Sequence, residues 1–276
     1  MKFAFAGTSG GIQAMSSGNT SLVFADSGTS ILVDVSGSPA SALASCGINP
    51  VSLGAVILTH AHVDHIYGLP SLIHNMWLMG RTEALTIIGS ETTLDVAHRL
   101  CALFSLGSKP GIFAFEWRKT EPGTTLDLGT FAVTTFAARH GLPTMGLVID
   151  AGGDRIVYSA DSAPLDAWPP AAERACVLVH EAAGVKDDEV LLNASGHSTA
   201  RQAAMAAAAL ADMAPDAPAP CLMLCHLPLD RLVIEKMRVE AQSCYRGTVL
   251  IPEPLRLYDV VDFSSDPYFS IRNDPR

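Results

Sequence analysis

Thr59-His60-Ala61-His62-Val63-Asp64-His65 places three imidazoles and one carboxylate within six positions. These are ligand types that suit zinc and related divalent ions. Four ligands this close can hardly all serve one tetrahedral ion, so the spacing predicts two adjacent metals. The alternative is a polar loop that happens to be rich in histidine. Further ligands downstream argue against that. His140 follows Phe131-Ala132-Val133-Thr134-Thr135-Phe136, Asp161 follows Ile156-Val157-Tyr158-Ser159, and His226 follows Cys221-Leu222-Met223-Leu224-Cys225. The total is five histidines and two aspartates. That inventory suits two ions, each short of a full shell, sharing a bridging carboxylate and a bridging water. An open coordination position is the mark of a catalytic site.

The elements that must hold these groups are strands. Ala55-Val56-Ile57-Leu58 reads as a buried strand running into the histidine cluster. Other strands are expected at 2–6, 21–24, 30–33, 112–117, 130–136, 145–150, 155–159, 176–180, 221–225, 248–251 and 256–261. Helices are expected from Pro70 to Gly80, from Glu91 to Leu106 and over 229–244, with another after the Thr199/Gln202 capping box. Strands with outer helices in two halves predict an α/β sandwich of two sheets. The ligands are scattered from position 60 to 226 and no linker divides the chain, so residues 1–276 read as one domain.

Several motifs resemble the metallo-β-lactamase superfamily, and most nearly its ribonuclease Z branch with that branch's phosphodiesterase relatives. Phe5-Ala6-Gly7-Thr8 is similar to the family's opening strand and turn. Gly18-Asn19-Thr20-Ser21 is similar to an Arg-Asn-x-Ser segment without its arginine. Gly68-Leu69-Pro70 follows the histidine cluster. Gly196-His197-Ser198-Thr199-Ala200 resembles the branch's His-Ser-Thr signature, and His180-Glu181-Ala182-Ala183 its His-Glu-Ala-Thr motif. The resemblance implies a four-layer αββα fold. It also implies that His60, His62 and His140 hold one zinc, that Asp64, His65 and His226 hold the other, and that Asp161 bridges them; manganese is an alternative metal. Such ions supply a deprotonated water and stabilise oxyanion charge. Asp64 is then expected to orient or deprotonate the water. His197, beside a helix N-terminus, is expected to contact the scissile phosphate and protonate the leaving oxygen, with Glu181 orienting its ring.

Two departures bear on the substrate. Only twenty residues separate His140 from Asp161, and they read as a plain hairpin with no room for the arm by which ribonuclease Z enzymes grip transfer RNA. The family's acidic Asp-Cys-Gly-Glu-Gly-Thr segment is replaced by Asp34-Val35-Ser36-Gly37-Ser38. The formal charge is −10, which disfavours long nucleic acid because that binding draws on basic side chains. The expectation is a hydrolase of a small or cyclic phosphodiester or a short RNA end. The alternatives are a transfer-RNA 3′-end endonuclease, or an arylsulfatase-like or lactonase-like enzyme; a non-catalytic scaffold would have shown lost ligands.

No run is long enough to span a bilayer and no secretory segment opens the chain, so a cytoplasmic enzyme is expected. The six cysteines have no framework spacing, and Cys221 and Cys225 read as buried core thiols. His74 and His98 read as ordinary helix residues, and His180 is open between a structural and a functional role. The apolar segment Leu72 to Met79, with Trp77, predicts a homodimer contact at or near this helix.

Overall fold

The computed structural model describes residues 1–264. The sequence from Ser264 to Arg276 reads as a polar tail, and its part beyond Ser264 lies outside the described residues. Two sheets face each other. The first contains β1 (Lys2–Ser9), β2 (Gly18–Asn19), β3 (Ser21–Asp26), β4 (Thr29–Val33), β5 (Ala55–Ile57), β6 (Leu85–Gly89) and β7 (Phe115–Lys119). The second contains β8 (Thr125–Leu128), β9 (Phe131–Ala137), β10 (Met145–Ala151), β11 (Asp154–Tyr158), β12 (Val177–Glu181), β13 (Cys221–Cys225) and β14 (Val249–Leu250). The last strand, β15 (Leu257–Asp259), returns to the first sheet and pairs with β1. Strand order is β15-β1-β3-β4-β5-β6-β7 in one sheet, with β2 on β1, and β14-β13-β12-β11-β10-β9-β8 in the other.

The period of two along each strand builds three apolar layers. Phe3, Phe5, Phe24, Ile31 and Ile57 point inward and meet Val133, Ile149, Ile156, Val179 and Met223 of the opposite sheet. The alternate residues Ala4, Val23, Leu32 and Val56 face outward and lie under helices. The helices over this sheet are α1 (Pro39–Ser45), α3 (Leu69–Leu78) and α4 (Glu91–Leu103); a single turn, α2 (Val63–Ile66), precedes α3. On the other sheet Val148, Val157, Leu178 and Leu222 lie under α6 (Ala200–Asp212) and α7 (Arg231–Cys244), with the short α5 (Glu189–Ala194) before them; α8 (Val261–Ser264) is the last element among the described residues. Strands covered on both faces read as continuous apolar runs, which is why they were legible. Each fully buried Leu or Phe in these layers contributes roughly 1.5–3 kcal/mol. The order of layers is the expected αββα sandwich.

The expected strand at 112–117 forms instead at Phe115–Lys119. Gly111 turns the chain with φ 71° and Phe113 is buried before the strand begins. β7 is an edge strand, and Glu116, Arg118 and Lys119 are exposed along it, which discourages pairing with another chain. The helix expected to Gly80 ends at Leu78, and the one expected to Leu106 ends at Leu103. The expected plain hairpin is β10–β11, joined through the Gly152-Gly153 turn. Among the described residues, no helix is long and apolar enough to cross a membrane.

Candidate metal centre

The ligand-bearing residues leave the sheets at strand ends. His60 lies three residues beyond β5, His140 three beyond β9, Asp161 three beyond β11 and His226 one beyond β13. The chain turns sharply at two of these exits and at the end of β4. Asp34, Ala160 and His226 adopt left-handed backbone with φ of 57°, 53° and 56°. Non-glycine residues in this region cost of order 1–3 kcal/mol each, and such strain is tolerated where the surrounding structure demands it. Here it swings Asp34, Asp161 and His226 into one cleft at the end of the sandwich.

All seven expected ligands converge there. One ligand-capable atom from each of His60, His62, His140 and Asp161 lies within 4.8 Å of the others, and the same holds for Asp64, His65 and His226. His62 Nδ1 is 3.0 Å from His60 Nε2 and 2.9 Å from His140 Nε2. Asp161 stands between the two groups. Its Oδ2 is 3.8 Å from His60 Nε2, 3.3 Å from His65 Nε2 and 3.2 Å from His226 Nε2. Asp64 Oδ2 is 3.5 Å from His65 Nε2 and 3.4 Å from His226 Nε2.

The far side of each ring sets the direction of its free lone pair. His65 Nδ1 donates to Asp34 Oδ2 at 2.8 Å. His140 Nδ1 donates to the Gly196 carbonyl at 2.8 Å. Thr59 Oγ1 donates to Asp34, at 3.0 and 2.9 Å from its two oxygens, and so accepts from His60 Nδ1 at 3.0 Å. With their outer nitrogens donating, His60, His65 and His140 turn their Nε2 lone pairs into the cleft. Asp34 therefore orients two rings, one directly and one through Thr59. Its role was not read from the sequence, where it appeared only as the remnant of a missing acidic segment. Gly196 was also unread as a support. Its φ is 83°, and a Cβ there would lie 2.8 Å from His140 Nδ1, so only glycine lets its carbonyl reach the ring.

These residues fit a divalent-metal centre. His65 Nε2, both nitrogens of His226 and Asp161 Oδ1 are buried with no hydrogen-bond partner. Lone pairs and carboxylate oxygens that face each other inside a protein repel unless a cation or protons lie between them. The electrostatics of the cluster carry the same tension. Burial opposes charging of His65, yet the Asp161 and Asp34 carboxylates raise it well above the ordinary histidine value. His60, dominated by burial and then by the neighbouring His65, is held well below it. Burial also opposes ionisation of Asp161, but His226 and His65 keep its carboxyl well below the usual range.

The two expected catalytic partners lie beside this centre. His197 Nδ1 is 3.1 Å from Glu181 Oε1, and its ring stacks on His226 with centroids 5.2 Å apart. One atom each of Asp161, His197 and His226 lies within 4.8 Å of the others. Glu181 is wholly buried at the end of β12. Its Oε1 also accepts from the Ser162 and Ser198 backbone amides at 3.0 and 3.1 Å. Burial and the nearby Asp161 raise its pKa well above the usual carboxylate value. His180, one residue earlier, points the other way. It donates to the Glu181 carbonyl at 2.7 Å, packs edge-on against Trp168, and burial holds it at about 4. It serves the packing under α6 rather than the cleft. His74 and His98 pack on Trp77 and Trp117, and Cys221 and Cys225 are buried in the core, as expected for structural residues.

Residues 29–226 match the family description Beta-lactamase superfamily domain. A ribonuclease Z from Methanothermobacter thermautotrophicus is 26% identical over 96% of this chain and 95% of its own length. A second, from Bradyrhizobium, is 32% identical over 49% of this chain and 45% of its own length. Among solved structures, the metallo-β-lactamase fold protein YhfI from Bacillus subtilis superposes with a TM-score of 0.78 at 26% identity, covering 93% of this chain and 98% of that one.

Proposed function

Because the chain belongs to the Beta-lactamase superfamily and has the metallo-β-lactamase fold, we propose that it is a two-metal phosphodiesterase acting on a small or cyclic phosphodiester or a short RNA end. The observation that carries this reading is the convergence of five histidines and two aspartates on one cleft, in two groups that share Asp161. His60, His62 and His140 would hold one ion, Asp64, His65 and His226 the other, and Asp161 both. Zinc suits this imidazole and carboxylate set, and manganese is the second candidate. When bound, the ions would supply Lewis acidity toward a phosphoryl oxygen and lower the pKa of a water.

The chain's own residues do the rest. Asp64, the more exposed of the two aspartates with 13% of its side chain in contact with solvent, is placed to accept a hydrogen bond from an incoming water. Glu181 holds His197 Nδ1, which leaves the other ring nitrogen to protonate a leaving oxygen. His197 keeps 19% of its side chain exposed, as a group that must meet substrate requires.

A transfer-RNA endonuclease is the second reading, supported by the relatives' name. The direct β10–β11 turn and the formal charge of −10 weigh against it, since neither offers cations for a polyanion. Sulfate esters and lactones are the remaining substrate classes. The test is a screen of zinc- and manganese-loaded protein against bis-p-nitrophenyl phosphate, cyclic nucleotides, p-nitrophenyl sulfate, lactones and a precursor transfer RNA. Preferred turnover of the sulfate, a lactone or the RNA would reject the reading. We further propose a cytoplasmic homodimer. Its contact would lie at or near α3, where Leu72, Ile73 and Met76 are buried in the core but Leu78, and Met79 just beyond the helix, are exposed.

A further inference from the structure

Three of the chain segments that deliver candidate ligands, those of His62 and Asp64, of His140 and of His226, present an aliphatic side chain to solvent, and so does the neighbouring loop after β1. Val63 lies between His62 and Asp64 and is 72% exposed. Ile12 is 71% exposed, on the loop after β1 whose Gly10 packs against the His226 ring and whose Gly11 packs near Asp64 Oδ2. Leu142, two residues beyond His140, is 36% exposed, and Leu229, three beyond His226, is 48% exposed. On the His226 side, Leu229 also helps to wall a cavity of about 480 Å³ that Ser9 and Ala14 bound from the opposite loop. Single exposed aliphatics are ordinary, but four on the loops around one cleft form a patterned rim.

Two of the flanking cations are already engaged. Arg139 spends its guanidinium on the Pro164 carbonyl at 2.9 Å and on Asp166 at 3.5 Å, and Arg201 lies 4.0 Å from Glu189. A rim built for a polynucleotide would offer unpaired cations to the neighbouring phosphates. A rim of aliphatics around a polar centre suits a substrate with one charged, reacting group and apolar substituents.

We propose that Ile12, Val63, Leu142 and Leu229 select substrates whose reacting phosphoryl group carries an alkyl or aryl substituent. This rests on the phosphodiesterase reading and narrows it. Water leaves the aliphatic rim when the substituent packs against it, and a nucleoside's hydroxyls and flanking phosphates gain nothing there.

The test separates binding from turnover. Phenylphosphonate and methylphosphonate, which have no ester to cleave, are titrated calorimetrically into the metal-loaded protein. The phenyl compound is expected to bind about tenfold tighter or better, a modest fraction of the apolar area it adds. Ile12→Ser/Val63→Ser is expected to cut that preference to about threefold or less. In parallel, p-nitrophenyl diesters bearing methyl, phenyl or thymidine as the second ester are compared by kcat/KM, with the phenyl ester favoured. Equal binding of the two phosphonates, an unchanged preference in the double variant, or a preference for the thymidine ester would overturn the proposal. A phenyl preference in binding with no diester turnover would support the rim's part in binding while rejecting the phosphodiesterase reading. If the double variant changes the mass seen by light scattering without touching the phenyl preference, the rim is a contact between copies of the chain and the proposal fails.

Discussion

Asp34 Oδ2 sits 2.8 Å from His65 Nδ1 in a fully buried pair, and the same carboxylate accepts from both the backbone and the hydroxyl of Thr59. One residue that is itself no ligand thus orients a ring in each of the two ligand groups. Asp34→Asn keeps the volume but turns an amide donor toward a ring N–H or toward Thr59. Metal affinity is expected to fall about tenfold to hundredfold, the usual scale for losing such a support. Competition with a chelator measures it, and unchanged affinity would show that the rings are held by packing alone.

Gly196 supports the other side of the site. Gly196→Ala would place a Cβ 2.8 Å from His140 Nδ1 at a φ of 83°. A side chain in this backbone region costs roughly 1–2 kcal/mol before any clash. The expected result is a lower Tm in the metal-free protein and a further loss of affinity at the His60, His62 and His140 group. A variant that unfolds and binds metal like the parent would disprove the packing argument.

The candidate ligands were legible because the cluster and the three single candidates each follow an apolar run, and runs buried on both faces stand out in this fold. His60, His140, Asp161 and His226 could be picked from their positions after Leu58, Phe136, Ser159 and Cys225. Asp34 also follows a strand, but one acid carries no spacing signal. Its partner His65 lies thirty-one residues away and only the fold joins them. The short β2 and the small-residue helix α1 escaped notice because neither is long enough to show a period. His197 and Glu181 were paired through motif resemblance; their 3.1 Å contact depends on the turn after α5, where the His197 amide donates to the Leu192 carbonyl.

His197→Ala should retain both metals and lower turnover by about 10²–10⁴, the scale for a positioned general acid. The loss should be smaller for diesters that release p-nitrophenolate, which needs no proton. Equal losses for good and poor leaving groups would restrict His197 to binding the phosphate.

His180 makes acid unfolding partly predictable. Burial lowers its folded pKa to about 4, from an ordinary value of 6.5. The unfolded chain takes up a proton as pH falls through 6.5, while the folded chain waits until about 4. This residue's contribution to stability is therefore full above 6.5 and is lost across that window, by about 3 kcal/mol at most. His180→Asn cannot titrate. Between pH 6.5 and 4, its unfolding free energy should fall with a slope smaller by up to one proton than the parent's. Parallel slopes by urea unfolding of the metal-free proteins would refute the assignment.

Light scattering at micromolar concentration should give a dimer mass. Leu78→Glu/Met79→Glu should shift it toward the monomer, because both side chains, at the end of α3 and just beyond it, are exposed. A monomeric parent rejects the dimer. A dimeric double variant moves the contact elsewhere.

The most direct test of the account is a zinc titration of metal-free protein, with bound metal and hydrolysis of bis-p-nitrophenyl phosphate followed together. Hydrolysis should be absent without metal, rise with bound zinc, and level off at about two ions per chain, the number the two groups around Asp161 can hold. Full occupancy with no hydrolysis, hydrolysis that survives chelation, or saturation at a single ion would contradict the two-metal phosphodiesterase.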